Sequence, residues 1–237
     1  MANKTLIIDN RMRDIEKQKL KEIGYELIEL KTIQDVYEEI SSHVDIFACK
    51  VGEQIIIEPT QYENISKYNT KLICGAEKLK ANYPEDIKYN VCIIGKKAIH
   101  SLDYTDSILK QQLINQGYEL INTSQGYTNC SIAVIDDNSA IVTDKGLYKI
   151  LTFHGIDTLY VNKKLDIKLL KENNYSNKRG FIGGCISKIG NKIIVFGDLN
   201  KIDENEEIRK FINKKQEEII EFRNQDVIDY GGLIEIQ

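Results

Sequence analysis

The sequence predicts an α/β protein in which a repeated unit closes into a five-fold pseudo-symmetric ring, an α/β propeller. Two observations predict this fold: a hairpin pattern that recurs along the chain, and incomplete units at the two ends that complement each other. The four copies of the hairpin are Val44–Pro59, Asn90–Asp103, Cys130–Asp144 and Cys185–Asp198. They begin 46, 40 and 55 residues apart, and a period in this range is typical of closed or stacked repeat architectures.

Each copy contains an apolar strand, a turn that carries Gly, Asn or Asp, a second apolar strand and a polar break. These turn residues supply the backbone angles that tight hairpins need. After each break the sequence predicts a helix, and in most copies a short third strand follows. Helical periodicity is clear in Asp106–Gln116 and in Ile208–Lys215. The repeated unit is therefore strand–turn–strand–helix–strand.

The two ends of the chain turn this repeat into a ring. At the N-terminus, Leu6–Asp9 predicts a second strand, Arg13–Gly24 a helix and Tyr25–Leu30 a third strand, so this unit lacks its first strand. At the C-terminus, after the helix Glu204–Lys215, Gly231–Ile236 predicts a first strand without a unit of its own. If it pairs with the N-terminal unit, the chain closes into a ring of five units and no sheet edge stays open.

Other architectures fit the sequence less well. A doubly wound α/β sheet would need a glycine-rich phosphate loop before the first helix, and the segment Asp9–Asp14 has no glycine. Propellers with four-stranded blades have no helix in each unit, and leucine-rich or helical solenoids lack the paired strands. A ring with one helix per unit is therefore the predicted fold, and we expect a single domain, 1–237.

Composition excludes several classes of function. A hydrophobic content of 42% and a charged content of 29% are ordinary for a soluble globular protein. The net charge of −4 gives no electrostatic reason to expect binding to nucleic acid or to an anionic membrane, so neither is predicted as a partner. No apolar segment approaches the ~20 residues that span a bilayer. The N-terminal segment also lacks the apolar core of a secretory signal.

Five cysteines are scattered along the chain without CxxC spacing: Cys49, Cys74, Cys92, Cys130 and Cys185. This pattern predicts reduced thiols in the cytoplasm, not disulfides or a zinc site. The sequence also contains no nucleotide-binding loop, haem motif or zinc signature. We therefore expect no cofactor and no metal.

A ring of five such units resembles the pentein fold of the guanidino-group-modifying enzymes. These include arginine deiminase, dimethylarginine dimethylaminohydrolase, arginine amidinotransferase and the agmatine deiminases, and the ribosome anti-association factor 6 shares the fold without the chemistry. Gly126–Asp144 looks like the unit that begins Gly-aromatic-x-His in the hydrolases, and Gly184–Ile236 resembles their final unit and closing strand. The resemblance covers nearly the whole chain as a repeat pattern and rests on no signature motif.

The resemblance implies that function lies at one end of a central channel, near the start of the first strand of each unit. Five segments are then expected to converge: Ser42–Ile46, Tyr89–Ile93, Thr128–Ile132, Gly183–Ser187 and Gly231–Glu235. Glycines in such segments allow backbone to approach a ligand closely. The expected ligand-binding residues are Asn90, Asn129, Cys130, Gly184, Gly231, Gly232 and Glu235.

The hydrolases of this family need a cysteine nucleophile on the closing strand, a histidine that handles protons, and carboxylates. In this chain the place of the thiol falls at about Leu233 or Ile234, the histidine slot at Asn129, and an acidic slot near Asn90. An asparagine amide does not titrate near neutrality, so it cannot act as a general base. We therefore predict that the standard guanidine hydrolysis is absent.

A rearranged catalytic site is the alternative. His43 and Asp45 form an HxD, the pattern of the family's catalytic histidine, but in the second unit instead of the fourth. On a strand the two side chains would share one face. Cys185, which opens a strand, would be the nucleophile, His43 the base, and Asp45 or Glu235 the carboxylate. The competing interpretation is that Cys185 packs in the core, as free cysteines usually do.

Three classes of function remain open. The favoured hypothesis is a pentein without the hydrolytic residues that binds a small polar or guanidino ligand at its channel. The second is a cysteine-dependent amidine- or guanidine-modifying hydrolase or transferase with the rearranged site. The third is a protein–protein interaction module. Neither the ligand nor the oligomeric state follows from the sequence.

Overall fold

The computed structural model describes residues 4–68, 71–171 and 174–236, a mixed α/β protein. The strands are β1 Lys4–Asp9, β2 Tyr25–Leu30, β3 Ala48–Val51, β4 Gln54–Ile57, β5 Leu72–Cys74, β6 Cys92–Ile94, β7 Lys97–His100, β8 Glu119–Asn122, β9 Ile132–Asp136, β10 Ser139–Val142, β11 Asp157–Tyr160, β12 Lys168–Lys171, β13 Asn174–Arg179, β14 Ile186–Ile189, β15 Lys192–Val195, β16 Glu218–Ile220 and β17 Ile234–Ile236. The helices are α1 Asp14–Glu22, α2 Val44–Phe47, α3 Pro59–Ile65, α4 Ser107–Asn115, α5 Thr128–Ser131, α6 Lys145–Phe153, α7 Ile182–Cys185 and α8 Asn205–Lys214.

Within the described residues, five three-stranded sheets share one pattern. Their orders are β17-β1-β2, β3-β4-β5, β6-β7-β8, β9-β10-β11 and β14-β15-β16. In each sheet the middle strand pairs antiparallel with the first strand and parallel with the third. A helix connects the middle strand to the third, as parallel pairing requires. These are the strand–turn–strand–helix–strand units that the sequence predicts.

The two ends of the chain meet in one sheet, as predicted. β17 pairs antiparallel with β1, with Leu6 opposite Glu235, and β1 pairs in parallel with β2. The closing strand is shorter than predicted, because only Ile234–Ile236 of the segment Gly231–Ile236 is paired as strand.

The long helices pack on the sheets through pairs of apolar residues four positions apart. Leu109 and Leu113 of α4, Leu147 and Leu151 of α6, and Ile208 and Ile212 of α8 are buried in this way. Residues at this spacing lie on one face of a helix. The side chains of Asp106 and Asp144 cap α4 and α6 by accepting from the backbone amides three residues later.

One feature of the predicted units is wrong. Three units begin with a single helical turn, α2, α5 or α7, and the first strand follows it. His43 is the N-cap of α2 and Asp45 lies in its first turn, so the argument that both side chains share a strand face does not hold. The helical conformation lets the Ile46 amide donate to the His43 carbonyl (3.2 Å), while the Asp45 amide donates to the Gly231 carbonyl (3.0 Å).

The structure also contains a hairpin that the sequence analysis did not predict. β12 and β13 pair antiparallel in a two-stranded sheet just before the fifth unit. Their residues are largely polar and exposed, so the apolar alternation that marks the other hairpins is missing here. No helix in the described part of the chain is long and apolar enough to cross a membrane.

Candidate functional site

Polar side chains from several units meet in the interior. They are Asp9 at the end of β1, His43 and Asp45 at α2, Asn90 before β6, Cys130 in α5, and Asp229 before β17. Each is at most 2% exposed. Buried polar groups cost free energy unless they are paired, so their partners decide what this polar cluster can do.

Asp9 is the fully paired member of the polar cluster. Its Oδ1 accepts from the Ser42 hydroxyl (2.7 Å) and from the Arg11 amide (2.8 Å), and its Oδ2 accepts from the Arg11 guanidinium (2.7 Å). Burial acts to raise the pKa of Asp9, but the hydrogen bonds and charge of Arg11 outweigh it, and the pKa is lowered. Asp9 is therefore a carboxylate at neutral pH.

His43 lies between two carboxylates without bonding to either. Its Nδ1 is 3.6 Å from Asp229 Oδ1 and its Nε2 is 3.9 Å from Asp9 Oδ2. Neither ring nitrogen has a hydrogen-bond partner among the residues that the structure describes. Burial lowers the pKa of His43 despite the opposing charges of Asp229 and Asp9. The ring is therefore neutral at neutral pH, with one nitrogen able to accept a hydrogen bond.

Asp45 is buried and unpaired. Neither carboxylate oxygen has a hydrogen-bond partner among the described residues. Burial raises the pKa of Asp45 to about 6, although Cys130 and Asn90 lie near enough to lower it somewhat. Gly231 makes room for this carboxylate, because a Cβ there would lie 2.5 Å from Asp45 Oδ1.

Asp229 is held by backbone amides. Its Oδ2 accepts from the Phe181 amide (2.8 Å) and its Oδ1 from the Gly231 amide (2.9 Å). Burial raises the pKa of Asp229, and His43 opposes that shift only when its ring is protonated. Gly184 is required beside it, because a Cβ at that position would lie 1.8 Å from Asp229 Oδ1. In the described chain no lysine or arginine forms an ion pair with Asp229 or with Asp45.

Asn90 joins the second and fourth units. Its Nδ2 donates to the Asp45 carbonyl (3.0 Å) and to Cys130 Sγ (3.1 Å), and its Oδ1 accepts from the Asn129 amide (2.8 Å). With both ends of its amide engaged, Asn90 acts as a structural bridge. Burial raises the pKa of the Cys130 thiol well above its usual value, so this thiol is protonated at neutral pH.

Two cavities open on either side of the polar cluster. The first, which we call the tyrosine chamber, has a volume of about 230 Å³, and its lining includes Tyr37, Glu39, His43, Tyr127, Cys130, Lys178, Arg179, Phe181 and Asp229. The second, the glycine chamber, has a volume of about 210 Å³, and its lining includes Asp45, Ile93, Asn129, Ile132, Val134, Gly183, Ile186, Ser187, Lys188, Gly231 and Gly232. They share no lining residue, and near neighbours such as His43 and Asp45 line different chambers. The polar cluster is the partition between them.

Comparison with known proteins identifies the family to which the chain belongs. The model of a family of unknown function (DUF6873) matches residues 7–234. The chain belongs to this family. No curated protein matches it.

Solved structures show which fold this family member has. It is similar to the dimethylarginine dimethylaminohydrolase of Pseudomonas aeruginosa, complexed with citrulline, at 11% identity and a TM-score of 0.55 over 94% of this chain and 93% of that one. A dimethylarginine dimethylaminohydrolase adduct with S-methyl-L-thiocitrulline matches at 10% identity and a TM-score of 0.56, over 92% of each chain.

The agmatine deiminase of C. jejuni matches at 15% identity and a TM-score of 0.51, over 94% of this chain and 79% of that one. Both kinds of enzyme are members of the pentein superfamily. The resemblance seen in the sequence is therefore confirmed at the level of the fold. At these identities the likeness shows the fold alone.

The predicted catalytic residues are not all brought together. His43 and Asp45 lie in the polar cluster, but Cys185 is fully buried in an apolar core and lines neither chamber. Its Sγ lies 3.3 Å from the Ile182 carbonyl, to which it donates, and burial raises its pKa well above the usual value. Glu235 accepts from the Tyr25 hydroxyl (3.4 Å) and lies 3.5 Å from Lys4 Nζ, away from the cluster. A catalytic role for Cys185 stays a prediction.

The predicted ligand-binding residues divide between the two chambers. Asn129, Gly231 and Gly232 line the glycine chamber, and Cys130 lines the tyrosine chamber. Asn90 and Gly184 lie within the partition, where they hold Cys130 and make room for Asp229. Ligand binding by these residues stays a prediction, as it does for Glu235.

Sequence reasoning missed several residues of the site. Asp9 and Asp229 each carried a signal, because Asp9 ends a buried apolar strand and Asp229 stands just before the twin glycines. The stacked rings of Tyr127 and Phe181 (6.1 Å between centroids) gave none, since they meet only in the folded chain. Lys178 comes from the hairpin that was not predicted.

Proposed function

We propose that this protein binds a small polar ligand with a guanidino or similar group in the tyrosine chamber, and that it does not catalyse the standard guanidine hydrolysis. The observation that carries the proposal is the environment of His43. His43 is buried in the lining of the chamber, neutral, and in the described part of the chain neither of its ring nitrogens has a hydrogen-bond partner. Such a group is expensive to keep unless something outside the chain completes its bonding.

The chemistry of the chamber favours a planar donor of several N–H bonds. A guanidino group can donate to a neutral imidazole nitrogen and to the free lone pairs of the Asp229 carboxylate. Tyr127 and Phe181 form a stacked aromatic wall beside these acceptors. Guanidinium groups stack on aromatic faces, so the aromatic wall and the hydrogen-bond acceptors both favour a guanidino ligand.

The rim of the chamber carries charges of both signs. Glu39 accepts from the Ser176 hydroxyl (2.9 Å) and pairs with Lys178 (3.2 Å), whose ammonium lies 5.0 Å from the centre of the Tyr37 ring. Arg179 stands next to Lys178 at the end of β13. A ligand with a carboxylate at its far end would meet these cations, so a zwitterion such as an amino acid fits the rim.

The absence of the standard hydrolysis is supported by the residues at the family's catalytic places. Asn129 stands in the histidine slot and Leu233 or Ile234 in the thiol slot. Every cysteine whose pKa is shifted has it raised, and a raised pKa removes the thiolate that attacks carbon.

The proposal includes the finer form of the fold. Five sheets of one pattern and a last strand paired with the first unit support a single domain, 1–237, closed into a five-fold α/β propeller around the two chambers. The five free cysteines support a reducing, cytoplasmic location.

A second function is favoured by one observation: Cys130 lines the same chamber as His43. In this alternative His43 takes the Cys130 proton, the sulfur bonds to an amidine carbon, and the C–N bond breaks as the amine leaves with the proton. Water then hydrolyses the sulfur–carbon bond and regenerates the thiol. Cys130 would replace Cys185 of the predicted site. A protein–protein interaction module stays the third class.

The test measures binding of L-arginine, agmatine and methylguanidine by titration calorimetry. We expect at least tenfold weaker binding in His43→Gln and Phe181→Leu. His154→Gln and Phe153→Leu are matched controls, because His154 pairs with Glu119 and Phe153 is 86% exposed, both outside the chamber. Equal binding in all four variants, or no binding to the wild type, would refute the proposal.

Turnover of the same compounds is followed by release of ammonia or amine. We expect none. Turnover that is lost in Cys130→Ala would establish the second function, and turnover lost in Cys185→Ala instead would establish the rearranged site predicted from the sequence.

A further inference from the structure

The glycine chamber holds no ligand in the function proposed above, although Asn129, Leu233 and Ile234, at the catalytic places of the resembled enzymes, line it. It is built by the closing turn at Gly231 and Gly232, by the fourth unit at Asn129 and Ile132, and by the fifth unit at Gly183 and Ser187. Gly231 and Gly232 both have positive φ, of 68° and 71°. Side chains rarely adopt these angles, and a Cβ at Gly232 would lie 2.9 Å from Ser187 Oγ.

The closing turn contributes no free donors to the chamber. The Gly231 amide donates to Asp229, the Gly232 amide to the Gly184 carbonyl (3.0 Å), and the Leu233 amide to Ser187 Oγ (3.0 Å). An anion would therefore find no free backbone N–H in the closing turn. The ammonium of Lys188 is engaged by Glu217.

Asp45 gives the chamber its chemistry. Of the residues that the structure describes, it is the one acidic residue in the lining; it is 2% exposed, and neither of its oxygens has a hydrogen-bond partner among them. A buried carboxylate with four free lone-pair positions calls for donors and positive charge. The chamber holds about 210 Å³, which is enough for a small ion and a few waters.

We propose that the glycine chamber is a second binding site, separate from the tyrosine chamber, for a small ammonium ion: ammonium itself or a short primary amine. The ammonium group donates to both oxygens of Asp45 and neutralises its charge. The Ser187 hydroxyl, which accepts from the Leu233 amide, retains a lone pair for one further N–H.

A divalent metal fits the chamber poorly. Calcium takes six to eight oxygen ligands, and magnesium takes six in an octahedron, of which one or two are carboxylates and several are waters or phosphate oxygens. In the ranges that the structure describes, no group of three or more histidine, cysteine, aspartate or glutamate residues could hold a metal ion. Asp45 is a single carboxylate, and the ammonium of Lys188 in the lining is already paired with Glu217, so the chamber suits a singly charged donor better.

The experiment uses the full chain and methylammonium labelled with ¹³C, whose binding is followed by NMR line broadening and titration. Tetramethylammonium is the matched probe, because it has the same charge and no N–H to donate. We expect methylammonium to bind and tetramethylammonium to bind at least tenfold more weakly. Asp45→Asn should weaken methylammonium binding at least tenfold.

Val134→Phe is a second variant, which fills the chamber from its half-exposed wall and leaves Asp45 in place. It should also remove methylammonium binding, so the test does not depend on the folding of one variant. Methylammonium binding that persists in both variants, or equal binding of the two probes, or no binding to the folded wild type, overturns the proposal.

The two proposals fail separately. Val134→Phe should leave binding of L-arginine or methylguanidine in the tyrosine chamber within threefold of the wild type, since Val134 does not line that chamber and is not part of the polar cluster. Guanidino binding that disappears in Val134→Phe would assign that ligand to the glycine chamber and refute both assignments.

Discussion

Replacing Asp45 by Asn should stabilise the protein at neutral pH. Burial raises the pKa of this carboxyl from 3.8 to about 6, because the charged form loses its hydration and the nearby Cys130 and Asn90 offset that loss only in part. A shift of roughly 2 units corresponds to about 3 kcal/mol of unfolding free energy. Asn removes the charge and keeps the shape of the protonated acid.

The pH dependence of the unfolding free energy shows that ionisation of Asp45 lowers stability. Below pH 3.8 the carboxyl is protonated in both the folded and the unfolded chain, and the group has no effect. Between pH 3.8 and about 6 the unfolded chain loses its proton first, so this group lowers stability as pH rises. Above pH 6 the full penalty is present. The difference between Asp45→Asn and the wild type should therefore grow from near zero at pH 4 to about 3 kcal/mol at pH 7.5.

Urea unfolding at pH 4, 5, 6 and 7.5, followed by circular dichroism, measures this difference. Asp9→Asn is the control with the opposite sign, because Arg11 lowers the pKa of Asp9 and its charge contributes stability at neutral pH. A difference between Asp45→Asn and the wild type that stays constant with pH, or Asp45→Asn less stable at pH 7.5, would show that Asp45 has a charged partner in solution.

Three further outcomes follow from the same contacts. Iodoacetamide at pH 8 should modify Cys74 well before Cys130 and Cys185, because Cys74 is partly exposed and the other four cysteines are buried. Peptide mass spectrometry measures the order of modification. Rapid modification of Cys185 would contradict its burial. Gly184→Ala should lower the melting temperature and disturb the tyrosine chamber, because its Cβ would overlap Asp229; an unchanged melting temperature would refute this geometry. Asp106→Ala should cost about 3 kcal/mol in urea unfolding, since this buried carboxylate accepts four hydrogen bonds, and a loss below 1 kcal/mol would contradict them.

The repeat pattern could be predicted because it is local. Two apolar runs that flank a turn predict a hairpin, and the spacing of apolar residues predicts helices such as Ser107–Asn115. The pairing of the last strand with the first unit could also be predicted, because an unpaired edge at each end has one simple solution. The hairpin β12–β13 could not, since its polar residues lack the apolar alternation.

The candidate site could be predicted only in part. His43 and Asp45 were found from the HxD motif. Their positions depend on the helical turn α2, whereas the sequence pattern predicted a strand there. The burial of Cys185 depends on packing between units, which no spacing reveals. Asp229 has a signal in its place before the twin glycines, but its role follows only from the fold, because its carboxylate is held by the amides of Phe181 and Gly231.

The polar cluster is a poor way to stabilise an interior. Apolar side chains of similar volume would fill the space of Asp45, Asp229 and His43 with no unpaired charge, and such exchanges are often neutral or stabilising. The chain instead places Gly184 and Gly231 where any side chain would strike these carboxylates. Buried groups that reduce stability, and that fit only beside glycines, are expected at functional sites. The cluster, with a chamber on each side, is therefore the part of this fold to test first for ligands.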